Sequence, residues 1–182
     1  MSDAGASKRV LASGRYLRLI EEGHWEYAQR THSADAVMIA AITPDDRVIL
    51  VEQYRVPVHS RVLEFPAGLV GDDPRHAGEP LDETARRELL EETGYVAESM
   101  VPVFTGACSA GLSDEMVTFF VATGLSKSSV GGGVDGEQIQ VHEVPWSELT
   151  AWIKSRMKTG VRADARLFSG IYWLAQSRDR RG

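Results

Sequence analysis

The sequence predicts a mixed α/β fold in which helices cover both faces of one sheet, with an antiparallel β extension ahead of it. Segments typical of strands come first, one helix follows, strands return, and two helices close the chain, an order that favours a sheet between helical layers. The 182 residues are 43% hydrophobic and 25% charged, which is typical of a globular chain that buries a sizeable core. We expect residues 1–33 to form the extension and residues 34–182 to form the main domain.

Alternating polarity and turn residues place the elements in chain order. The predicted strands are Arg15–Ile20, His24–Thr31, Ala34–Thr43, Arg47–Tyr54, Val101–Ala107, Glu115–Thr123 and Gln138–Val144. The predicted helices are Leu81–Thr93, Trp146–Met157 and Ala163–Gln176. Gly94 stands where a glycine commonly ends a helix. Residues 67–80 are predicted to be a loop, and the glycine- and serine-rich residues 126–136 a flexible one.

Composition and charge argue against several classes of protein. The longest apolar run, Ala36–Ile42, is far shorter than the roughly 20 residues that span a membrane. The first residues lack the apolar segment of a secretory signal, so we expect a cytoplasmic protein. A formal net charge of −6 argues against nucleic-acid binding. The single cysteine, Cys108, excludes an internal disulfide.

The central predicted helix carries acidic residues beside its buried face. At about 100° per residue, Leu81, Ala85 and Leu89 form an apolar stripe. Glu88 and Glu92 fall within roughly 20° of Leu81 on this wheel, and Glu91 lies next to them. Three carboxylates therefore crowd the edge of the face that packs on the sheet.

Two interpretations of these carboxylates are open at this point. A solvated helix would pair charges four residues apart, as the positions of Glu83, Arg87 and Glu91 allow. Glu88 and Glu92 have no basic residue at those spacings, so we expect them to lack a local cation. Oxygen ligands without nitrogen or sulfur select Mg²⁺ or Mn²⁺, and a bound ion would compensate the repulsion between the two acids.

Residues 79–95 resemble the Nudix box, whose pattern is Gly-x5-Glu-x7-Arg-Glu-hydrophobic-x-Glu-Glu-x-Gly-hydrophobic. The chain follows the pattern at Glu79, Arg87-Glu88, Glu91-Glu92 and Gly94-Tyr95. The leading glycine would be Gly68, but ten residues separate it from Glu79 where the pattern has five. We interpret the loop 69–78 as carrying a five-residue insertion.

This resemblance implies a Nudix-type α/β/α sandwich and a hydrolase that depends on Mg²⁺, with Mn²⁺ as the alternative ion. It implies that Glu88 and Glu92 bind the metals and are catalytic, that Glu91 lies nearby as a further ligand, and that the carbonyl of Ala67 completes the site. It also implies that Glu79 and Arg87 brace the loop after Gly68 against the helix. The helical wheel selects the same carboxylates independently.

Three shorter segments resemble the ADP-ribose pyrophosphatase branch of the family: Trp25-Glu26-x3-Arg30, Glu52-Gln53-Tyr54-Arg55 and Asp135-Gly136-Glu137. The resemblance implies that Trp25 stacks on the adenine, that Arg55 reaches the diphosphate, and that Glu137 orients the attacking water or binds a further metal. Glu26 and Arg30 are expected at a dimer contact or in the neighbouring substrate pocket. The alternatives are a core tryptophan, a surface arginine and a solvated glutamate. His59 and His142 are expected to be structural or exposed.

The predicted substrate is a nucleoside diphosphate sugar, with ADP-ribose as the first candidate and AMP and ribose 5-phosphate as its products. The ADP-ribose subgroup usually has a proline where this chain has Ala110, so we keep the range of sugars and bases wider. The branch commonly builds its base pocket from the N-terminal strands of two chains, which implies a homodimer. The alternatives are a Nudix enzyme that cuts nucleoside triphosphates or dinucleoside polyphosphates, and a Nudix-like module that binds its ligand without cutting it.

Overall fold

The computed structural model describes residues 7–32, 35–133 and 136–179, and these form a small and a large sheet. The three-stranded sheet contains β1 (Lys8–Ser13), β2 (Leu17–Glu22) and β3 (Trp25–Arg30). The eight-stranded sheet contains β4 (Asp35–Ile42), β5 (Arg47–Arg55), β6 (Ser60–Glu64), β7 (Ala67–Leu69), β8 (Tyr95–Ala107), β9 (Met116–Lys127), β10 (Gln140–Pro145) and β11 (Arg162–Ala163). The helices are α1 (Leu81–Thr93), α2 (Leu149–Lys158) and α3 (Ala165–Asp179). Strand β4 runs parallel to β9 and β6 parallel to β11, and the other pairs of the large sheet are antiparallel.

Strand β4 lies between two helical layers and is buried on both faces. Met38 packs in one apolar cluster with residues of α2 and α3, such as Leu167. The next side chain, Ile39, packs in a second cluster with Leu89 of α1. Because neighbouring residues of a strand point to opposite faces, a strand covered on both sides must be apolar without interruption. The α/β/α sandwich with a mixed sheet, predicted from the order of the elements, is therefore confirmed.

Helix α1 has the bounds that the sequence predicts, and Gly94 caps its C-terminal end. Leu81 departs from the predicted apolar stripe, since it is exposed in the first turn while Ala85 and Leu89 are buried. Helices α2 and α3 begin later than predicted, because residues 146–148 form a 3₁₀ turn and residues 162–163 form β11. No helix within the described ranges is long and apolar enough to cross a membrane.

The N-terminal sheet contacts the loop between β8 and β9. The amide of Ala28 donates to the carbonyl of Leu112 at 2.8 Å, and the side chain of Gln29 donates to Asp114. All residues of β1 are exposed. Its sequence therefore lacks the alternation of apolar and polar residues that predicts a half-buried strand, and β1 was not predicted. The predicted boundary between extension and main domain, at residues 33 and 34, lies outside the described residues.

Strands β6, β7 and β8 differ from the sequence prediction because they depend on pairing with distant segments. Strand β6 was not predicted, and β7 lies inside the predicted loop 67–80, where it pairs with β4. Strand β8 begins at Tyr95 rather than at Val101, and it forms an edge of the large sheet with many exposed residues. Pairing of this kind leaves little trace in local polarity. Through β7, the start of the loop 69–78 is fixed against the centre of the sheet.

The glycine run 131–133 caps the C-terminal end of α1. The amides of Gly132 and Gly133 donate to carbonyls of the last helical turn at 2.8 and 3.0 Å. A Cβ atom on Gly131, whose φ is 71°, would lie 2.4 Å from the carbonyl carbon of Thr93. Residues 131–133 of the predicted flexible loop are therefore hydrogen-bonded to α1, where they satisfy carbonyls that a helix end leaves without partners.

Replacing Gly131 by alanine should destabilise the fold more than replacing Gly160. Both glycines have a left-handed φ, 71° and 91°, so each alanine costs about 1–2 kcal/mol in backbone strain. Only Gly131 adds a clash, because a Cβ on Gly160 meets nothing within 4 Å. We expect an additional loss of about 2 kcal/mol for Gly131→Ala in urea unfolding. Equal losses would show that the contact between the glycine run and α1 does not stabilise the fold.

Candidate active site

The acidic edge of α1 forms one wall of a cavity of about 710 Å³, a volume within the range of small-molecule sites. The N-terminal sheet, β5, β7, the loop 69–78 and the start of α3 supply the other walls. Of the residues predicted for the site, Arg30, Arg55, Ala67, Gly68, Arg87, Glu88, Glu91, Glu92 and Glu137 line this cavity. Folding therefore brings most of the predicted site together.

Arg87 is the counterion of the acidic helix. Its guanidinium donates to Glu79 at 3.1–3.4 Å, to Glu88 at 2.8 Å and to Glu91 at 3.1 Å. One sequence expectation is therefore wrong, because Glu88 has a local cation. Arg87 makes the expected contacts with Glu79 and Glu91, and among its described contacts there is none with Glu83. The flexible arginine stem lets the guanidinium reach an adjacent residue that the ideal helical wheel places on another face.

Glu79 ties the end of the loop 69–78 to α1. Thr84 donates to Glu79 at 2.9 Å, beside the hydrogen bonds from Arg87. Burial alone would raise the pKa of Glu79, but the hydrogen bonds from Arg87 and Thr84 outweigh it and lower that pKa. The longer loop therefore leaves the start of the helix fixed, and the contact is the one that the predicted brace requires.

Gly68 allows β7 to pass directly over the side chain of Glu88. A Cβ atom at position 68 would lie 2.0 Å from Cδ of Glu88, so any other residue would displace that carboxylate. Burial raises the pKa of Glu88 to about 7; Arg87 opposes this rise, while Glu91 and Asp72 add to it. The glycine that the box pattern requires thus leaves the space that the carboxylate of Glu88 occupies.

Glu92 is the most deeply buried acid of the cavity wall, with 5% of its surface exposed. Its Oε2 accepts a hydrogen bond from the amide of Ala67 at 3.1 Å. Burial raises the pKa of Glu92 well above its usual range; the Ala67 amide opposes this, and the charges of Glu88 and Glu137 add to it. Glu137 lines the same cavity as Glu92.

These residues fit a hard divalent cation by their donor chemistry. Within residues 7–32, 35–133 and 136–179, no three acidic, histidine or cysteine side chains converge closely enough to chelate an ion as they are oriented. Arg87 turns Glu88 and Glu91 toward itself in this arrangement. Arg87 and the amide of Ala67 offset only part of the cost of burying the charges of Glu88 and Glu92. Oxygen-only ligands of this kind suit Mg²⁺ or Mn²⁺.

Arg55 is held at the cavity wall by Glu64, a residue that the sequence analysis missed. The Nε of Arg55 donates to Glu64 at 2.9 Å, and Glu64 is 3% exposed. Burial raises the pKa of Glu64, and Arg55 and Arg166 oppose this rise. The signal for Glu64 is an acid between the apolar Leu63 and Phe65, which are fully buried.

Trp25 lies apart from the acidic cavity. It is 49% exposed, which excludes the alternative of a core tryptophan. Together with Tyr27 and the loop residues 110, 111, 113 and 114 it lines a separate cavity of about 320 Å³. Glu26 is exposed, whereas Arg30 lines the acidic cavity and donates to Glu115. One chain therefore does not bring Trp25, Glu26 and Arg30 together.

His59 and His142, expected to be structural or exposed, lie outside the cavity wall. His59 is exposed, and His142 contacts the buried Glu52 at 3.2 Å. Burial would raise the pKa of Glu52, but hydrogen bonds from Arg156 and Arg61 lower it. Glu52 therefore fastens α2 to the sheet, while its neighbour in the predicted motif, Arg55, faces the cavity.

Comparisons with known proteins agree with this architecture. The sequence profile of the NUDIX domain matches residues 32–165. A methanol dehydrogenase activator from Bacillus methanolicus is 35% identical over 153 residues, covering 79% of each chain. An ADP-ribose pyrophosphatase from Bacillus subtilis is 34% identical over 124 residues, covering 66% of this chain and 63% of that relative. A GDP-mannose pyrophosphatase from Yersinia enterocolitica is 34% identical over 126 residues, covering 64% and 63%. A solved structure described as an ADP compounds hydrolase shares the fold, with a TM-score of 0.75, 23% identity, and coverage of 97% of this chain and 94% of that one.

Without metal, Glu88→Gln should stabilise the protein at pH 8 and change its stability little at pH 5. The pKa of Glu88 rises from 4.5 to about 7 on folding, so its contribution to stability is present below pH 4.5 and is lost as the pH passes 7. Glutamine removes the charge that folding disfavours. The gain at pH 8 should be on the order of 2 kcal/mol, measured by melting curves in EDTA.

The matched control is Glu83→Gln, which removes an exposed charge from the same helix. It should change the melting temperature little at either pH. An effect of Glu88→Gln that is the same at pH 5 and pH 8 would contradict the raised pKa.

Proposed function

Because this chain belongs to the Nudix family, we propose that it hydrolyses the diphosphate bond of nucleoside diphosphate sugars with Mg²⁺, Mn²⁺ being the alternative ion. ADP-ribose is the first candidate substrate, with AMP and ribose 5-phosphate as products. The observation that carries this proposal is the position of Glu88, Glu91 and Glu92 in the wall of one cavity with Arg55. The names of two relatives, an ADP-ribose pyrophosphatase and a GDP-mannose pyrophosphatase, support the substrate class.

Glu88, Glu91 and Glu92 would hold the cations, and the carbonyl of Ala67 would complete the ligand set. Bound there, Mg²⁺ supplies charge neutralisation for the diphosphate and activation of water. Arg55 would donate to the diphosphate from β5, because a guanidinium presents paired donors to phosphate oxygens. Glu64 keeps that guanidinium at the cavity wall.

Glu137 would orient the attacking water or accept its proton. It lines the cavity, and its charge raises the pKa of the buried Glu92. A carboxylate in this position suits general-base catalysis, which commonly contributes 10²–10⁴-fold to the rate. The glycine run ahead of Glu137 is hydrogen-bonded to the end of α1, the helix that carries the three acids.

We further propose a homodimer in which Trp25 of one chain completes the pocket of the other. Trp25 is half-exposed on the N-terminal sheet and lies outside its own chain's acidic cavity. An exposed tryptophan is an effective stacking surface for a base. Glu26, exposed on the opposite face of β3, would lie at the contact between chains, and Arg30 would remain in the substrate cavity of its own chain.

Assays with ADP-ribose, ADP-glucose, GDP-mannose and ATP in Mg²⁺ test the proposed reaction. We expect the nucleoside diphosphate sugars to be cut, ADP-ribose with the highest kcat/KM, and AMP and ribose 5-phosphate to appear in equal amounts. Glu92→Gln should abolish turnover, and the exposed Glu83→Gln serves as control. Preference for ATP would favour a nucleoside triphosphatase, and binding without turnover would favour a ligand-binding module. A tenfold loss of kcat corresponds to a rise of about 1.4 kcal/mol in the activation barrier. A Glu92→Gln variant that retains more than about a tenth of the wild-type kcat would rule out Glu92 as an essential ligand.

Trp25→Ala should raise the KM for ADP-ribose roughly 5- to 150-fold, because stacking is worth about 1–3 kcal/mol per base. The value of kcat should change little, and the loss should be similar for GDP-linked sugars, since every base offers a π-face. Steady-state kinetics and light scattering measure the two parts of the proposal. A monomeric active enzyme, or an unchanged KM in the variant, would contradict the shared pocket.

A further inference from the structure

The part of the cavity formed by the start of α3 contains an arginine that the predicted site does not include. Arg166 lines the same cavity as Arg55 and Glu92. Its Nη2 lies 3.9 Å from Oε1 of Glu64, whose other oxygen holds Arg55 at 2.9 Å. Arg166 and Arg55, which we place at the diphosphate, are therefore on either side of the same carboxylate, that of Glu64.

The guanidinium of Arg166 is held in a fixed orientation. Its Nε donates to both carboxylate oxygens of Asp164 at 3.0 and 3.1 Å. Its Nη1 contacts the sulfur of Cys108 at 3.6 Å, and Asp164 itself is mostly buried. A guanidinium carries five N–H donors. Asp164 takes Nε and one N–H of Nη2, and Cys108 takes one N–H of Nη1, so one N–H on each Nη nitrogen is left for a ligand. The arginine is thus oriented before any ligand arrives.

Three arginines of the cavity lie outside α1 and the loop 69–78, and each of them faces a carboxylate. Arg166 pairs with Asp164, Arg55 with Glu64, and Arg30 with Glu115. Three arginines and three carboxylates give a formal balance of zero, in contrast to the excess of acid on α1. A diphosphate requires net positive charge, which the cations at α1 would supply. A balanced array of donors and acceptors instead suits neutral hydroxyl groups, each of which both donates and accepts hydrogen bonds.

We propose that Arg166, oriented by Asp164, binds the hydroxyl groups of the sugar attached to the distal phosphate of the substrate. This inference rests on the proposed function, because it takes the diphosphate to lie at Arg55 and the acids of α1. In the substrate, the distal sugar is bonded directly to the diphosphate. In the protein, only the carboxylate of Glu64 separates Arg166 from Arg55. A sugar next to a diphosphate bound at Arg55 would therefore lie at Arg166. Arg166 would then determine which sugars are accepted, while the diphosphate contacts stay the same.

Binding measurements without turnover test this role. Calorimetry with Mg²⁺ on protein that carries Glu137→Gln, which slows turnover and keeps the acids of α1, compares ADP-ribose with ADP, which ends at the diphosphate and carries no distal sugar. All variants are made in this background, which is the wild-type reference at position 166. Arg166→Ala should weaken ADP-ribose tenfold or more and leave ADP within twofold of the wild-type value. Arg166→Lys should not restore ADP-ribose binding, since an ammonium replaces the charge but not the planar fork. The control is Arg162→Ala, an exposed arginine of β11 that does not line the cavity.

The possible outcomes separate the sugar contact from other roles. Equal weakening of ADP and ADP-ribose, or recovery in the lysine variant, would make Arg166 a phosphate contact and overturn the proposal. Unchanged ADP-ribose binding in Arg166→Lys would also overturn it, and this variant covers the case in which the alanine variant fails to fold. A wild type that binds ADP-ribose no better than ADP has no sugar site. Tight binding without hydrolysis in Mg²⁺ would instead count against the proposed function alone.

Discussion

The burial of carboxylates beside the apolar face of α1 is the constraint on which the site depends. Glu88 and Glu92 would repel each other in a dry environment, and two devices offset this repulsion. Arg87 donates to Glu88 and Glu91, and the amide of Ala67 donates to Glu92. Both devices link α1 to segments that precede it, since Arg87 also holds Glu79 and Ala67 belongs to β7. The electrostatic requirement of the acids therefore fixes the relative positions of strand, loop and helix.

Close backbone contacts at both ends of the helix complete this arrangement. Gly68 passes over Glu88 with no room for a Cβ, and Gly131 meets the end of α1 at a similarly short distance. The first contact positions an acid, and the second positions the glycine run 131–133 at the end of α1. Small residues are needed at these places because the chain must approach a helix more closely than a side chain allows. The site is therefore built by backbone approach as much as by side-chain chemistry.

Sequence patterns predict what local chemistry determines and miss what distant pairing determines. Helix α1 was predicted to the residue, because its periodicity, its box pattern and Gly94 agree. The apolar run of β4 likewise predicts a strand covered on both faces. Strand β7 and the cap formed by residues 131–133 were missed, because each depends on hydrogen bonds to a segment far away in the chain. Glu64 and Arg166 were missed for the same reason: the ion pairs that make them part of the cavity form only in the folded chain. The local cation of Glu88 was missed because a wheel ignores side-chain reach.

The loop 69–78 is fastened at both ends, by Gly68 against Glu88 and by Glu79 against Arg87. Doubling a loop from five residues to ten costs only about 0.6 kcal/mol in closure entropy when its ends stay in place. The lengthened part contributes Asp72, Asp73, Arg75 and His76 to the rim of the cavity. Evolution can therefore change the length and charge of this rim at small thermodynamic cost while the carboxylates of α1 keep their geometry. Divergence in substrate range and preservation of the hydrolytic chemistry are, in this architecture, separable events.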